Sequence, residues 1–150
     1  MEFNHFLTSY MPNVNIGSKV HFENMLKESV LAEKCGYATV SIPEHHLINL
    51  LMMPSPLQMA VKIASITKKI NITTGIVVLP IHDMRTYAGE VTTADILTDG
   101  RLILGVGRGA FPWEMERLGT PIETSKEKFV ESLEVLQLSV SYTHLRAHET

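Results

Sequence analysis

The sequence contains a single cysteine, Cys35, among 150 residues. One cysteine excludes an internal disulfide framework and fits a reducing compartment. Basic residues form no run, and 13 of them against 16 acidic residues give a net charge of −3, which argues against a nucleic-acid surface. No apolar run reaches the roughly 18 residues of a membrane span, and the first residues lack the pattern of a secretory signal. We therefore expect a cytoplasmic protein without nucleic-acid or membrane partners.

The remaining composition is that of one globular domain, with 45% hydrophobic and 19% charged residues. Its pattern predicts strands at residues 3–10, 37–42, 70–79 and 101–106, and helices at 20–35, 57–67, 84–98 and 125–138. A repeat of about 30 residues with alternating elements is typical of βαβ units and a parallel sheet. The pattern alone allows either an open doubly wound sheet or half of a (β/α)8 barrel, which needs about 250 residues.

Two of these elements have unusual polarity. Residues 70–79 form an almost continuous β-branched run, which predicts a strand buried on both faces. Gly75 interrupts this run and indicates a bulge or the close approach of another group. In the second helix the polar residues form a narrow stripe at Gln58, Lys62 and Ser65. A helix with so little polar surface is expected to be covered twice, by the sheet and by a partner subunit.

Glu44, His45 and His46 follow the second strand directly, at the sheet edge where parallel α/β folds bind ligands. A histidine there can act as a general base, although bonding to the loop backbone is an equal alternative. Neighbours on an extended chain face opposite ways, so His45 and His46 are not expected to serve one centre. A metal site of Glu44, His46 and His82 would need three loops to converge, and we expect no metal. His82 and the following Asp83 are expected to hold each other.

The glycine-rich loop at 105–109 follows the fourth strand and offers backbone amides that can approach a phosphate. Arg108 adds a permanently charged, bidentate donor for such a group. Gly105, Gly107 and Ala110 also fit a dinucleotide fingerprint. That interpretation is weak because the loop follows the fourth strand, a proline replaces the immediate helix, and no acidic residue ends a next strand. The alternative interpretation of the loop as a plain tight turn gives no role to Arg108.

Three segments carry a resemblance to a known family. They are PEHH at 43–46 with the Ser-Pro at 55–56, TTGIVVLP at 73–80, and TADILTDGRLILGVGRG at 93–109. In this order they resemble the bacterial luciferase-like flavin-dependent monooxygenases, and the similarity extends over about residues 1–138. The resemblance implies that the chain is an incomplete TIM (β/α)8 barrel comprising about the first four βα units.

The resemblance also implies a chemistry at the carboxyl ends of the strands. Members of this family use reduced FMN and O2 to oxidise a small organic substrate. By motif, His45 matches a histidine that acts as acid or base, and Arg108 matches an arginine that contacts the flavin phosphate. Gly75 and Ile76 match a non-proline cis peptide held against the flavin ring. Gly107 stands where luciferase itself has a cysteine.

The partners follow from the same resemblance. We expect reduced FMN to come from a separate reductase, because no NAD site is evident, and a homo- or heterodimer to form through the second and third helices. An F420-dependent hydride-transfer enzyme on the same scaffold is the first alternative. A non-catalytic flavin-binding protein is the second, and an unrelated NAD-binding open sheet is the third.

The end of the chain departs from the family pattern. Residues 1–138 are expected to form the first half of the barrel, and residues 139–150 resemble a stereotyped tail derived from sequencing-adapter DNA. The family continues for four more units. We therefore expect this fragment by itself to be inactive and to bind flavin weakly.

Overall fold

The computed structural model describes residues 1–49 and 51–147, with side chains through residue 140. The strands are β1 (Asn4–Phe6), β2 (Thr39–Ile42), β3 (Asn71–Thr74), β4 (Val77–Val78), β5 (Leu102–Ile103) and β6 (Val106–Gly107). The α-helices are α1 (Ser18–Lys34), α2 (Pro56–Ala64), α3 (Met84–Leu97), α4 (Pro112–Arg117) and α5 (Ser125–Ala147). Single-turn 3-10 helices lie at Val14–Ile16 and Leu79–Ile81. None of the described helices is both long and apolar enough to cross a membrane.

The strands form a parallel sheet in the order β1-β2-β3-β5, and β4 pairs with β6 alongside it. Strand-helix units therefore follow one another in sequence order, and the prediction of an α/β fold with a parallel sheet is confirmed. The third predicted strand is divided into β3 and β4 at the Gly75–Ile76 peptide bond, which is cis as the resemblance implied. The fourth is likewise divided into β5 and β6.

The main core lies between the sheet and the helices on one side of it. Val40 and Ile72 are paired across β2 and β3, are fully buried, and pack in one cluster with Met25 of α1 and Ile63 of α2. A second cluster joins Leu57, Val77 and Tyr87 to Leu136 of α5. Burial of a large apolar side chain stabilises the fold by about 1.5–3 kcal/mol, so these two clusters supply most of the driving force that holds α1–α3 against the sheet.

The opposite face of the sheet is open. Phe6, Ser41, Thr73 and Ile103 form one cross-strand row, in which Phe6 is 53% and Ile103 47% exposed. In the predicted third strand, β3 is less buried on this face, whereas Val77 and Val78 of β4 are both buried, so the prediction of burial on both faces holds for β4 and is wrong for β3. No layer among the described residues covers this row, so burial comes only from the helical side.

Helix boundaries agree with the pattern to within three residues, with two exceptions. The short α4 was not predicted, although Pro112 stands at its first turn, where proline is favourable. The last helix, α5, continues beyond residue 138 to Ala147. Residues 148–150 lie outside the described part of the chain. The assignment of residues 139–150 to a foreign tail is not tested and stays a prediction.

Candidate active site at the carboxyl ends of the strands

The loops that follow β2, β4 and β6 lie side by side because their strands are neighbours. The backbone N–H of Val78 donates to Glu44 Oε2 over 2.6 Å, and Val78 is in register with Gly107. The Glu-His-His loop, the end of β4 and the glycine-rich loop thus meet at one edge of the sheet. This is the edge at which parallel α/β proteins bind ligands.

Glu44 is the centre of a group of hydrogen-bonded side chains at this edge. Its side chain is buried, and its Oε1 accepts hydrogen bonds from His46 Nε2 at 3.0 Å and His82 Nε2 at 2.8 Å. Burial opposes ionisation, but these hydrogen bonds and the Val78 amide hold the pKa of Glu44 below its usual value. The hydrogen bond to Glu44 in turn raises the pKa of His46. The sequence analysis expected that bringing these three side chains together would need three loops, but they converge from only two.

His82 does not pair with Asp83, so that expectation is wrong. Asp83 instead caps α3 by accepting from the Arg85 backbone N–H at 3.0 Å, and it forms an ion pair with the Arg85 side chain. The His82 ring stacks on Tyr87, with 4.0 Å between ring centroids. The buried Tyr87 hydroxyl has no hydrogen-bond partner. Burial and the nearby carboxylate of Glu44 raise the pKa of Tyr87.

His45 faces a different environment from His46, as the alternation of an extended chain predicted. His45 Nδ1 lies 3.6 Å from Glu114 Oε2 of α4, and its ring centroid lies 5.4 Å from that of Phe111. The Nδ1 atom is buried without a hydrogen bond. The Glu114 carboxylate thus lies beside one ring nitrogen of His45.

Glu114 is a residue of this site that the sequence did not reveal. It is buried, and besides lying near His45 it accepts a short hydrogen bond from the backbone N–H of His46 through Oε1. The helix α4 that carries it has only six residues, too few to show a periodic pattern. The available signal was Pro112 with an acidic residue two positions later, an arrangement typical of a helix start.

The glycines of the fourth strand pack closely against the third, at Gly105 against backbone and at Gly107 against the end of a side chain. A Cβ atom on Gly107 would lie 2.4 Å from Ile76 Cδ1, and one on Gly105 would lie 2.2 Å from the backbone oxygen of Thr74. At Gly75 the corresponding contact is 3.3 Å, to Ser41 Cβ. The strand pair β4–β6 thus brings Ile76 directly against Gly107, and the two segments present one continuous surface.

Arg108 follows immediately after this surface. It is exposed and has neither a hydrogen bond nor an ion pair within the described part of the chain. Ile76, 37% exposed, presents apolar surface beside Gly107. Ile76, Gly107 and the unpaired Arg108 therefore belong to the paired segments β4 and β6 and the loop after them, and His45 lies on the loop after β2.

The family model described as luciferase-like monooxygenase matches residues 1–149. The chain belongs to this family. The flavin-dependent trigonelline monooxygenase oxygenase component of Acinetobacter baylyi is 33% identical over 65% of this chain and 27% of its own length. The alkanal monooxygenase alpha chain of Photorhabdus laumondii is 29% identical over 84% of this chain and 35% of its own length. The luciferase-like chain described here thus spans about a third of the length of these relatives.

Solved structures confirm the fold of this luciferase-like chain. The oxygenating constituent of 3,6-diketocamphane monooxygenase from Pseudomonas putida, in complex with FMN, matches 91% of this chain and 38% of its own at a TM-score of 0.84 and 24% identity. An F420-dependent secondary alcohol dehydrogenase matches 91% of this chain and 41% of its own at a TM-score of 0.72 and 20% identity. The four strand-helix units are therefore those of a TIM-type barrel.

The luciferase-like chain also presents an open groove between α2 and α3. It has a volume of about 870 Å³, and its wall includes Val61, His82, Tyr87 and Glu90. The helix α2 packs on β3 and on α3, so a neighbouring helix supplies a second cover for α2.

Proposed function

We propose that this luciferase-like chain contributes the flavin-binding edge of a monooxygenase that uses reduced FMN and O2 to oxidise a small organic substrate. The observation that carries the proposal is the buried, unpartnered Nδ1 of His45 beside Glu114, on the same sheet edge as Ile76 and the unpaired Arg108. FMN, when bound, supplies the electrons that activate oxygen. The relative from Acinetobacter baylyi is a flavin-dependent oxygenase component, which favours reduced flavin delivered by a separate reductase.

The chain's own residues have distinct roles in this proposal. Arg108 binds the flavin phosphate by charge-assisted hydrogen bonds. Gly75, Ile76 and Gly107 form the apolar surface against which the flavin ring packs. His45 accepts or returns a proton at Nε2, and Glu114 stabilises the protonated ring from the Nδ1 side. These side chains also exclude water from one side of the ring, which strengthens the electrostatic contacts.

An F420-dependent hydride-transfer reaction is the second candidate, because an F420-dependent dehydrogenase shares the fold. The phosphate-binding role of Arg108 would be the same in both cases. A non-catalytic flavin-binding protein is the third candidate and would retain binding without consuming oxygen.

As for partners, we propose a homo- or heterodimer through the open face of α2 and α3, since that groove carries apolar side chains such as Val61 and Leu97.

The test is a cofactor titration of the chain with FMN and with F420, followed by flavin fluorescence. We expect FMN to bind weakly to this chain, and Arg108→Ala to weaken its binding further, about 10- to 100-fold, since a hydrogen bond to a charged group contributes about 1.5–3 kcal/mol. Arg85→Ala is the matched control, because it removes the same charge from an exposed arginine paired with Asp83. Stronger binding of F420 than of FMN would favour the second candidate. An equal loss of FMN affinity in the two variants would contradict the proposed binding of the flavin phosphate by Arg108.

A further inference from the structure

Glu44, His46 and His82 form a side-chain cluster that the flavin site does not use. One ligand atom from each residue lies within 4.8 Å of the other two. The Glu44 side chain is fully buried, and the two imidazoles are 20% exposed. Two imidazole nitrogens and one carboxylate oxygen are the protein ligands of many zinc sites that keep an open position.

The spacing of these atoms suits an ion. Ligand atoms at about 2.0–2.1 Å from a tetrahedral zinc lie about 3.3 Å from one another. Glu44 Oε1 is 3.0 Å from His46 Nε2 and 2.8 Å from His82 Nε2. The two histidine nitrogens lie within 4.8 Å of each other, so drawing them together would let one ion replace the two protons that hold this cluster together. We propose that Glu44, His46 and His82 bind one divalent metal ion of the zinc class.

Neighbouring groups fix the ligands without taking part in the coordination. The Val78 N–H holds Glu44 Oε2 at 2.6 Å, which leaves Oε1 directed at both histidines. The backbone N–H of His46 is held by Glu114, and the His82 ring is stacked on Tyr87. Outer contacts of this kind orient metal ligands and strengthen binding.

The Tyr87 hydroxyl indicates where the open coordination position lies. Glu44, His82 and Tyr87 all line the groove between α2 and α3. The residue is 4% exposed, and its hydroxyl is the one buried hydroxyl without a hydrogen-bond partner in the part of the chain that the structure describes. Such a group needs a partner. A water or small anion on the fourth position of the ion, facing the groove, would provide it.

The experiment is a titration of the complete 150-residue chain, first freed of metal with a chelator, with Co²⁺ and then with Zn²⁺. Co²⁺ in a site with two nitrogens and few ligands gives a strong visible absorption. We expect that absorption to saturate at one ion per chain and to be abolished by one equivalent of Zn²⁺. Absorption no stronger than that of hydrated Co²⁺, or saturation only at several ions per chain, would overturn the proposal without any variant.

Two substitutions assign the site. His46→Gln and His82→Gln retain a hydrogen-bond donor toward Glu44, and each is expected to weaken Co²⁺ binding at least 100-fold, because even the loss of an outer partner of a ligand costs about 10–100-fold. His5→Gln is the matched control, since His5 also lies beside a glutamate, with 3.3 Å between His5 Nε2 and Glu28 Oε2. Undiminished binding in either cluster variant, or an equal loss in the control, would show that the ion binds elsewhere.

Discussion

At the level of single residues, two buried glutamates divide the adjacent histidines between them. Glu44 holds His46, and Glu114 lies beside His45. The opposite orientation of the two histidines could be predicted from the alternation of side chains in an extended segment. Their carboxylate partners could not, because both contacts depend on how loops distant in sequence pack together.

The catalytic role proposed for His45 predicts a large loss of turnover. Replacing by alanine the histidine that aligns with His45 in a full-length relative should reduce oxygenation about 100-fold or more, as is typical when a general acid or base is removed. The measurement is oxygen consumption with reduced FMN supplied by a reductase. The position that aligns with His5 serves as control, because His5 lies in β1 beside Glu28 and takes no part in this site. Unchanged turnover after the first substitution would remove His45 from the mechanism.

The Glu44–His46 pair predicts a stability that depends on pH. The lowered pKa of Glu44 means that its contribution is present above its ordinary pKa of 4.5 and is lost as the pH falls through the folded value. The raised pKa of His46 means that its contribution is present below 6.5 and is lost as the pH rises through the folded value. Both contributions are therefore complete between about pH 4.5 and 6.5.

This dependence is measurable in His46→Gln. The difference in unfolding free energy between the unsubstituted chain and the variant should be largest near pH 5.5 and should shrink by pH 8.5, because neutral His46 no longer pairs with an anion. Urea unfolding of the metal-free chain, with a chelator present, at the two pH values measures it. A difference that is the same at both would show that the ion pair contributes no stability.

At the level of elements, periodicity predicted the units and Gly75 indicated the interruption of the third strand, but the division of the fourth strand was not predicted. The β-branched run from Ile70 to Leu79 reads as one strand, yet it is divided at Gly75, and the next strand is divided before Val106. Such interruptions come from contacts between strands, such as that of Gly105 with Thr74, which no single segment encodes. The six-residue α4 was missed for the same kind of reason, since tertiary contacts of Glu114 and Met115 fix it.

The contact between strands predicts opposite effects for two glycine substitutions. Gly105→Ala should lower the free energy of unfolding by about 1–3 kcal/mol, because its Cβ would lie 2.2 Å from a backbone oxygen that has to shift. Gly89→Ala is the control, because nothing lies within 4 Å of its Cβ and it stands inside α3. It should stabilise the chain by about 0.5–1 kcal/mol. Denaturant unfolding of both variants measures this, and equal effects would contradict the packing described here.

At the level of the whole molecule, one face of the sheet is covered and the other is open. The buried row of Val40 and Ile72 could be recognised in the sequence as core, and so could the parallel order of the strands. The exposure of Phe6 and Ile103 could not be predicted from the sequence. The same pattern of β-branched and aromatic residues is found in strands that are covered on one face and in strands that are covered on both. Local sequence specifies each unit, whereas closure of a barrel depends on the number of units.

The central claim is that the ends of β2, β4 and β6 hold one planar ligand with a phosphate tail. A crystal structure of the chain with FMN tests it most directly. We predict the phosphate at Arg108, the ring against Ile76 and Gly107, and His45 at the ring's edge. Flavin bound in the groove between α2 and α3, or anywhere that leaves Arg108 and His45 without contact to it, would contradict the claim.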